Sequence, residues 1–329
     1  MTRTPGTGEM PVDIVVDGGG SGTRIGLVHG GELVLTRRAD TCNPRVVGEE
    51  VAWQRLIDLL NWAAAGVENI RSTCLALSSV STPREVADAA RLLAARRAEC
   101  AALRAGTCWL MNDVVPLACH AGCGVAIVCG TGANFAALGP DGTWAQASGL
   151  EYILADEGSG WDLGVRALRA VTRAADGRGP ATLLSRLVPV ALGLPADATL
   201  EDLHEVVYAE GGRKSLVARA APAVLRAAGE GDPVARDLVE YAARELLLGA
   251  EACARRAGLP AGSPARYTGS LLLGDEPALR EALVPLLKAS PFAFEPSPGT
   301  DPLEGVRALA LRLNAGEVDL DRVPLAARV

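Results

Sequence analysis

The feature that most constrains the fold is a short apolar strand followed by a glycine-rich turn. Residues 12–16 form a β-branched run, which is typical of a buried strand. The glycine-rich stretch 17–23 follows, and further short strands are predicted at 25–28 and 33–35. This order predicts a β-meander whose first turn is made of small residues.

The same pattern recurs in the middle of the chain. Residues 124–129 read as a second buried strand, the glycine-rich turn 130–134 follows, and two more short strands come after it. Two meanders in one chain indicate a structural repeat with a boundary near residues 117–122. The sequence therefore predicts an α/β protein of two domains, residues 1–118 and residues 119–329.

The remaining elements are predicted from apolar spacing and capping signals. Asp232 and Pro233 provide an N-cap and a first-position proline for one long helix. The predicted helices cover residues 51–65, 83–104, 162–174, 216–228, 233–257, 277–288 and 303–314. The other predicted strands cover residues 73–77, 108–111 and 265–273.

Charge and composition exclude several classes of function. The 329 residues carry a formal net charge of −7, which gives no general electrostatic reason to bind nucleic acid or an anionic membrane. The first dozen residues lack the apolar core of a secretory signal, and no apolar run reaches the length of a membrane span. Several of the eight cysteines lie in apolar runs, so we expect a reducing, cytoplasmic location.

The two glycine-rich turns are candidate anion sites. Successive backbone N–H groups without intervening Cβ atoms can bind phosphate, and two such turns are enough for a polyphosphate. The alternative is that both are tight hairpin turns, which need glycine in any case. The chain has no GxxxxGK[ST] motif, which excludes a P-loop, and the first turn leads into a strand rather than the helix of a dinucleotide site.

Two aspartates lie at the ends of predicted strands. A carboxylate at Asp17 can hold Mg²⁺, or it can cap the turn by accepting from backbone N–H groups. Asp113 can accept the proton of an attacking hydroxyl, or it can cap a helix beginning at Val114. For each aspartate, the spacing of residues along the sequence leaves the choice between its two roles open.

Other polar stretches are ambiguous. Residues 156–160, Asp-Glu-Gly-Ser-Gly, precede a helix, where acids are common because they suit the helix dipole. Asn43 precedes a proline and fits an ordinary turn, and Ser78 fits a polar loop. The three histidines are far apart and suggest no Ser/His/Asp triad.

Taken in order, these motifs resemble the BadF/BadG/BcrA/BcrD ATPase family, which includes N-acetylglucosamine kinases. The resemblance covers nearly the whole chain. Its motifs are the opening glycine loop at 17–24, Asn112-Asp113, the second loop at 130–134, the Asp-Glu-Gly-Ser-Gly box, Gly231-Asp232, Thr268-Gly269-Ser270-Leu271-Leu272 and a closing pattern at 302–310.

The resemblance implies two actin-like, ribonuclease H-like domains with an ATP cleft between them, and ATP with Mg²⁺ as cofactors. It implies Asp113 as the base toward a sugar hydroxyl, the 6-OH in the kinases, with Asp17 at the metal. The implied nucleotide contacts are Gly18, Gly19, Gly20, Ser21, Gly22, Thr23, Gly130, Thr131, Gly132, Gly269 and Ser270. The implied sugar contacts are Asn43, Ser78, Asn112, Asp113, Asn134 and Asp156.

The chain departs from the family pattern near the sugar motifs. Residues 147–150, Ala-Ser-Gly-Leu, replace the family's Gly-Gly-Trp, and Ala133 replaces the serine of the second loop. The resemblance therefore supports an amino-sugar kinase more firmly than any one sugar, and it leaves a homodimer open. The alternative in the same family is an ATPase that activates a CoA-ester dehydratase through a shared iron–sulfur cluster.

Overall fold

The computed structural model describes residues 10–20, 22–119, 123–209 and 214–329. Its strands are β1 Val12–Gly18, β2 Thr23–His29, β3 Glu32–Ala39, β4 Ile70–Leu77, β5 Thr107–Met111, β6 Gly124–Cys129, β7 Ala133–Leu138, β8 Trp144–Ser148, β9 Pro264–Thr268, β10 Glu295–Pro298 and β11 Ala326–Arg328. Its α-helices are α1 Pro44–Val47, α2 Glu49–Ala64, α3 Pro83–Ala95, α4 Ala101–Arg104, α5 Val114–Cys119, α6 Gly160–Ala175, α7 Leu184–Ala191, α8 Leu200–Tyr208, α9 Lys214–Ala218, α10 Ala221–Gly229, α11 Pro233–Ala257, α12 Ser270–Leu273, α13 Ala278–Ala289 and α14 Pro302–Asn314.

The chain forms two compact units. The first consists of Met1–Gly122, Asp141–Trp144 and Gly299–Val329, and the second of Cys123–Pro140 and Ala145–Pro298. Each unit contains one mixed sheet with helices packed against it, so the protein is a mixed α/β fold of two domains.

The last thirty or so residues belong to the first unit, whereas the sequence assigned them to a second domain of residues 119–329. In the first unit β11 pairs antiparallel with β5, and α14 packs against β1. A polar contact contributes: the Asn314 amide donates to the fully buried Asp13 carboxylate at 3.0 Å. A buried carboxylate needs such donors, and hydrophobic spacing along the chain does not reveal them.

The first unit has a six-stranded sheet in the order β11-β5-β4-β1-β2-β3. The predicted meander is β1-β2-β3, whose neighbours pair antiparallel. On its other side β1 pairs parallel with β4, and β4 pairs parallel with β5. The carboxyl ends of three adjacent parallel strands therefore meet at one edge of this sheet.

The second unit repeats this arrangement in a five-stranded sheet of order β10-β9-β6-β7-β8. Here β6 pairs antiparallel with β7 and parallel with β9. The long helix α11 packs on β6 and β7, with Asp232 as its N-cap accepting from the Ala235 amide at 2.8 Å. Both predicted meanders are present, and the two units share one plan.

One predicted helix is interrupted. Residues 83–104 form α3, a short 3₁₀ turn at Arg97–Glu99 and α4, because Cys100 is extended (φ −136°, ψ 118°). This break turns Cys100 and Leu103 into the core, where both are fully buried. Burial of these apolar side chains outweighs the helix propensity of the alanine-rich stretch.

One further predicted helix is divided, and one predicted strand ends early. The predicted helix 216–228 is divided into α9 and α10, with Pro222 in the first turn of α10. The predicted strand 265–273 stops at Thr268, because Gly269 takes φ +103° and α12 begins at Ser270. The turn at Gly269 lies beside the candidate site of the second unit. In the part of the chain that the structure describes, we find no helix with the length and apolar character needed to cross a membrane.

Candidate functional site

Three strand ends bring predicted site residues together in the first unit. Gly18 ends β1, Ser78 follows β4, and Asp113 follows β5 after one intervening residue. The Ser78 amide donates to the Gly18 carbonyl at 2.9 Å, which holds the first two strand ends in contact. The parallel pairing of these strands therefore places a carboxylate and a hydroxyl-bearing residue beside the first glycine turn.

The pKa of the Asp113 carboxyl group is higher than the ordinary value of an aspartate. Burial, and secondarily the negative charge of Asp17, raise its pKa from 3.8 to about 6, although the backbone amides of Asp113 and Val114 act in the opposite direction. A carboxylate with a pKa near the operating pH combines adequate basicity with a substantial ionised fraction. The Val114 amide donates to Asn112 Oδ1 at 3.0 Å, so the helix-capping role of Asp113 stays a prediction.

Asp17 forms an ion pair with Arg24. Within the described residues, its Oδ2 accepts from Arg24 Nη2 at 2.9 Å and from Arg24 Nε at 3.2 Å. The same guanidinium donates through Nη1 to Asp301 at 2.6 Å. Burial raises the pKa of Asp17, and Arg24 opposes this effect.

The donor set at this edge fits a divalent cation. Among the described residues no hydrogen bond to Asp17 Oδ1 is found, and the negative charge of Asp17 acts on Asp113. Magnesium is commonly bound in proteins by one or two carboxylates together with substrate phosphates and waters. The residues present are thus compatible with Mg²⁺ at Asp17.

The first glycine turn is tight. A Cβ on Gly18 would lie 2.5 Å from Leu77 Cδ2, so the Leu77 side chain would have to shift, whereas one on Gly20 would meet no described atom within 4 Å. The Gly19 amide donates to the Gly22 carbonyl at 2.9 Å, and Thr41 Oγ1 donates to the Gly19 carbonyl at 2.8 Å. Ser21, also predicted as a nucleotide contact, lies outside the described residues.

Two predicted contacts have clear structural roles. Thr23 is buried, and its Oγ1 accepts from the Cys42 amide at 2.9 Å. Asn112 is also buried: its Nδ2 donates to the Val80 carbonyl at 2.9 Å and its Oδ1 accepts from the Val114 amide at 3.0 Å. These bonds fix the loop and the strand end, and ligand contacts by either residue stay predictions.

Asn43 and Ser78 retain unused hydrogen-bonding groups. Asn43 Oδ1 accepts from the Arg45 amide at 2.9 Å, which caps α1 and leaves the Nδ2 donors unassigned among the described residues. The Asn43 amide donates to Thr41 Oγ1 at 3.0 Å, the same hydroxyl that contacts the glycine turn. Ser78 Oγ is buried without a partner in the described chain. Such groups are expected where a polar ligand completes the site.

Asp156 is the centre of the corresponding site in the second unit. It is buried with φ +74°, and its Oδ1 accepts from the Ala133 amide at 2.9 Å. Its Oδ2 lies 2.6 Å from Lys214 Nζ, which also contacts Glu151 at 2.9 Å. The pKa of Lys214 is raised. Burial acts to lower this pKa, but the two carboxylates together stabilise the ammonium.

Asn134 is linked to the Asp156 carboxylate through its chain neighbour Ala133, whose amide donates to Asp156. It is on β7 next to Ala133, and its Oδ1 accepts from Gln146 Nε2 at 3.3 Å. Ser148 Oγ donates to the Ala133 carbonyl and accepts from the Asp156 amide. The structure therefore brings the predicted residues Asn134 and Asp156 into one polar cluster.

The second glycine turn has free backbone donors. The Gly130 amide donates to the Gly132 carbonyl, whereas the amides of Thr131 and Gly132 have no acceptor among the described residues. A Cβ on Gly132 would lie 2.8 Å from Asp156 Oδ1, so this glycine permits the approach of the carboxylate. Two adjacent unpaired amides are suited to an anion.

Gly269 and Ser270 adjoin this turn because β9 pairs with β6. A Cβ on Gly269 would lie 2.1 Å from the Cys129 carbonyl oxygen, so only glycine fits. A Cβ on Gly130 would lie 3.6 Å from Ser270 Oγ, in ordinary van der Waals contact. The predicted nucleotide residues of this unit are therefore neighbours.

A supporting network was missed from the sequence. Asp162 Oδ2 accepts from the Gly158 amide at 3.0 Å and Oδ1 accepts from Arg166 Nε at 2.9 Å. The Arg166 guanidinium lies 3.6 Å from the centre of the Tyr241 ring on α11. The i, i+4 spacing of Asp162 and Arg166 on one helix was the available signal, but it is also typical of ordinary surface pairs.

Lys214 was also missed as a site residue. It is one of two lysines in the chain, Lys214 and Lys288. Its partner Asp156 is 58 positions away, so nothing in the local sequence indicates the ion pair.

Cysteine placement bears on the alternative function. Of the eight free cysteines, Cys123 is partly exposed and the others are buried. Burial raises the pKa of Cys108, Cys119, Cys129 and Cys253 to about 12. Thiolates are the metal ligands, so burial makes these four unreactive. No group of three or more metal-ligating side chains occurs among residues 10–20, 22–119, 123–209 and 214–329.

Known proteins with similar sequences are amino-sugar kinases. The chain is 33% identical over 129 residues to an N-acetylmuramic acid/N-acetylglucosamine kinase of Clostridium acetobutylicum, covering 39% of this chain and 41% of that protein. It is 27% identical over 212 residues to an N-acetyl-D-glucosamine kinase of Dictyostelium discoideum, covering 59% and 64%. The matched segments thus span less than two thirds of either relative.

Solved structures share the fold over nearly the full chain. A Chromobacterium violaceum protein provisionally assigned as an N-acetylglucosamine kinase has a TM-score of 0.69 and 25% identity, and the match covers 91% of this chain and 99% of that one. A Porphyromonas gingivalis protein with the same provisional assignment has a TM-score of 0.67 and 21% identity, covering 92% and 99%. The two-domain fold is therefore that of the actin-like sugar kinases.

A family model matches residues 16–305, a range that includes Asp17, Asp113, Asp156 and both glycine turns. With nearly the whole chain matched in this way, the protein belongs to the BadF/BadG/BcrA/BcrD ATPase family.

Proposed function

We propose that this protein is an ATP-dependent kinase that phosphorylates a hydroxyl of an amino sugar, the 6-OH of N-acetylglucosamine or glucosamine. The observation that carries the proposal is Asp113, a carboxylate with a pKa of about 6 at a strand end beside the first glycine turn. The names of the relatives support the choice of an amino sugar.

Asp113 acts as the general base. It accepts the proton of the sugar hydroxyl while the sugar oxygen bonds to the γ-phosphorus and the bond from that phosphorus to ADP breaks. Its raised pKa makes it a stronger base than an ordinary aspartate, and it is still mostly ionised at neutral pH. The proton then passes to solvent.

Asp17 is the residue that would hold Mg²⁺, through the oxygen that Arg24 leaves unused. When bound, the metal supplies neutralisation of the phosphate charge. Arg24 holds the Asp17 carboxylate in a fixed orientation, and Asp301 in turn fixes Arg24.

Phosphate contacts are proposed separately for each unit. In the second unit the unpaired amides of Thr131 and Gly132 would donate to phosphate oxygens, with Gly269 and Ser270 next to them. In the first unit Gly20 is a proposed contact, and a Cβ built on it would meet no described atom within 4 Å. Backbone donors of this type bind phosphate without adding positive side chains.

Sugar contacts are proposed for the groups left unsatisfied. Asn43 Nδ2 and Ser78 Oγ have no partners among the described residues, and both lie near the first glycine turn. In the second unit, Asn134 and Asp156 form the corresponding polar cluster. An amide and a carboxylate together can donate to and accept from sugar hydroxyls.

The placement of cysteines does not favour the dehydratase-activating alternative. A cluster shared between two subunits would need exposed thiolates, and burial raises the pKa of four of the thiols to about 12.

The proposal is tested by measuring ADP release over a panel of hexoses, amino sugars and N-acetyl amino sugars, with Mg²⁺ present. We expect sugar-dependent turnover that is highest with N-acetylglucosamine or glucosamine. ADP release that no sugar stimulates would contradict the kinase assignment. The position of the new phosphate is identified by NMR of the product.

A further inference from the structure

The second unit contains a large cavity outside the proposed sugar contacts. Its volume is about 900 Å³. Its described lining comes from α6, α8, Tyr152 and Val217, together with Arg178 after α6. One face of α6 and one face of α8 point into it, each with side chains at helical spacing.

The cavity begins one side chain from Asp156. Lys214, the ion-pair partner of Asp156, has its Nζ 5.9 Å from the centre of the Tyr152 ring. Tyr152 in turn contacts Trp161, with ring centres 5.0 Å apart, and both rings line the cavity. The Trp161 amide donates to the Thr131 carbonyl in the second glycine turn. The cavity therefore adjoins the cluster proposed for the sugar.

The lining changes character along α6. Near Trp161 it is aromatic and aliphatic, and the charged residues Arg169 and Arg173 follow at positions eight and twelve further along the helix. At 1.5 Å per residue, Arg169 lies about 12 Å along the axis from Trp161. An occupant that reaches from the sugar to Arg169 must therefore be elongated.

The charge of the lining is positive in a protein of net charge −7. The described lining includes three arginines and a histidine but no aspartate or glutamate. Arg178 is paired with Asp176, whereas Arg169 forms no ion pair with any described residue. This charge distribution is complementary to an anion at the far end of the cavity.

We propose that this cavity receives the N-acyl substituent of an amino-sugar acceptor when that substituent is longer than acetyl and ends in a carboxylate. The chain packs against Trp161, Val165 and Leu168, and the carboxylate binds Arg169. This inference rests on the proposed function, since it takes Asp156 as a sugar contact. It adds a substrate class that the names of the relatives do not include.

Calorimetry with the full chain tests the proposal without requiring turnover. The probes are N-acetylglucosamine, then N-succinyl-, N-adipoyl- and N-suberoylglucosamine, which place a carboxylate progressively further from the ring. Neutral N-acyl glucosamines of matched chain length are the controls. We expect the longest anionic probe to bind about tenfold or more tightly than its neutral match, because a charge-assisted contact forms with Arg169.

Matched variants assign the effect to the cavity. Arg169→Gln should abolish the preference for the anionic probe and leave N-acetylglucosamine binding unchanged. Arg186→Gln, an exposed arginine on α7 outside the cavity, should change neither. Val207→Trp should fill the cavity and weaken all long probes but not N-acetylglucosamine.

The outcomes separate the two proposals. If N-acetylglucosamine binds but chain length brings no Arg169-dependent gain, the cavity proposal is overturned and the kinase proposal stands. If N-acetylglucosamine does not bind and a long anionic probe does so through Arg169, the cavity proposal stands and the sugar assignment fails. Binding of neither overturns both.

Discussion

Asp17 and Asp113 are coupled across the strand ends of the first unit. After burial, which is the larger cause, the charge of Asp17 raises the pKa of Asp113 to about 6. Asp17 itself is paired with Arg24 at 2.9 Å, so its carboxylate is held in place while it acts on Asp113. The proposed metal ligand thus also sets the strength of the proposed base.

Asp113→Asn should remove the general base. We expect kcat to fall by about 10²–10⁴-fold, the usual contribution of a positioned base, with ATP affinity preserved because the side-chain volume is unchanged. Steady-state kinetics and nucleotide calorimetry on the same preparation measure the two quantities. Turnover close to that of the parent would remove Asp113 from the mechanism.

Asp17→Asn should lower the pKa of Asp113. Removing the negative charge takes away one of the two causes that raise it, so the value should move from about 6 toward 3.8 without reaching it, because burial remains. Carbon-detected NMR titration of the ligand-free protein measures this without activity. An unchanged pKa would show that the two carboxylates are not coupled.

Asp113→Asn should also change stability in a pH-dependent way. The pKa of Asp113 is higher in the folded chain than the ordinary 3.8, so ionisation costs folding free energy as the pH rises from about 3.8 through about 6. The variant avoids this cost, and its free energy of unfolding should exceed that of the parent by about 1–3 kcal/mol above pH 7. The difference should vanish near pH 4. Urea unfolding at a series of pH values decides this, and a gain independent of pH would contradict it.

Asn43→Ala should weaken sugar binding. Loss of its Nδ2 donor would leave a sugar hydroxyl unpaired at a cost of about 1–3 kcal/mol, or roughly tenfold or more in the sugar KM, with the KM for ATP unchanged. The variant also loses the cap of α1. Asn43→Asp keeps that cap and lacks the donor, so a loss common to both variants belongs to the amide. An unaltered sugar KM in both variants would exclude Asn43 from the site.

Gly158→Ala should destabilise the second unit more than Gly177→Ala. Both glycines have similar positive φ values, +76° and +78°, so the conformational cost of alanine is similar, about 1–2 kcal/mol. Only at Gly158 would the new Cβ clash, at 2.8 Å from the Ala242 carbonyl oxygen, whereas nothing lies within 4 Å at Gly177. Urea unfolding curves of the two variants should therefore differ. Equal losses would mean that the 156–160 turn can move away from α11.

A clash at Gly158 would affect the candidate site, because hydrogen bonds connect the turn that follows Asp156 both to Asp162 and to the second glycine turn. Asp162 accepts from the Gly158 amide, and the Gly160 amide donates to the Gly130 carbonyl in the second glycine turn. Displacement of this turn should therefore disturb Asp156 and the phosphate turn together. Arg166 on α6 donates to Asp162 and packs on the Tyr241 ring of α11.

The sequence alone determined the plan of the fold. Apolar runs followed by glycine turns at 17–23 and 130–134 predicted both meanders, because strand periodicity and the need for small residues in tight turns are local properties. Asp232 predicted the start of α11 for the same reason, since an N-cap acts on amides two or three residues away. Ordered family motifs then pointed to Asp113, Asp156 and the glycine turns as site residues.

Only the tertiary structure decided the features that depend on distant partners. The last thirty or so residues join the first unit through strand pairing, helix packing and distant contacts such as that of Asn314 with the buried carboxylate of Asp13, 301 positions earlier. Lys214 meets Asp156, and Arg24 meets both Asp17 and Asp301. The pKa of Asp113 depends on burial and on a charge from another strand. Electrostatic effects and burial are set by distance in space, which separation along the chain does not encode.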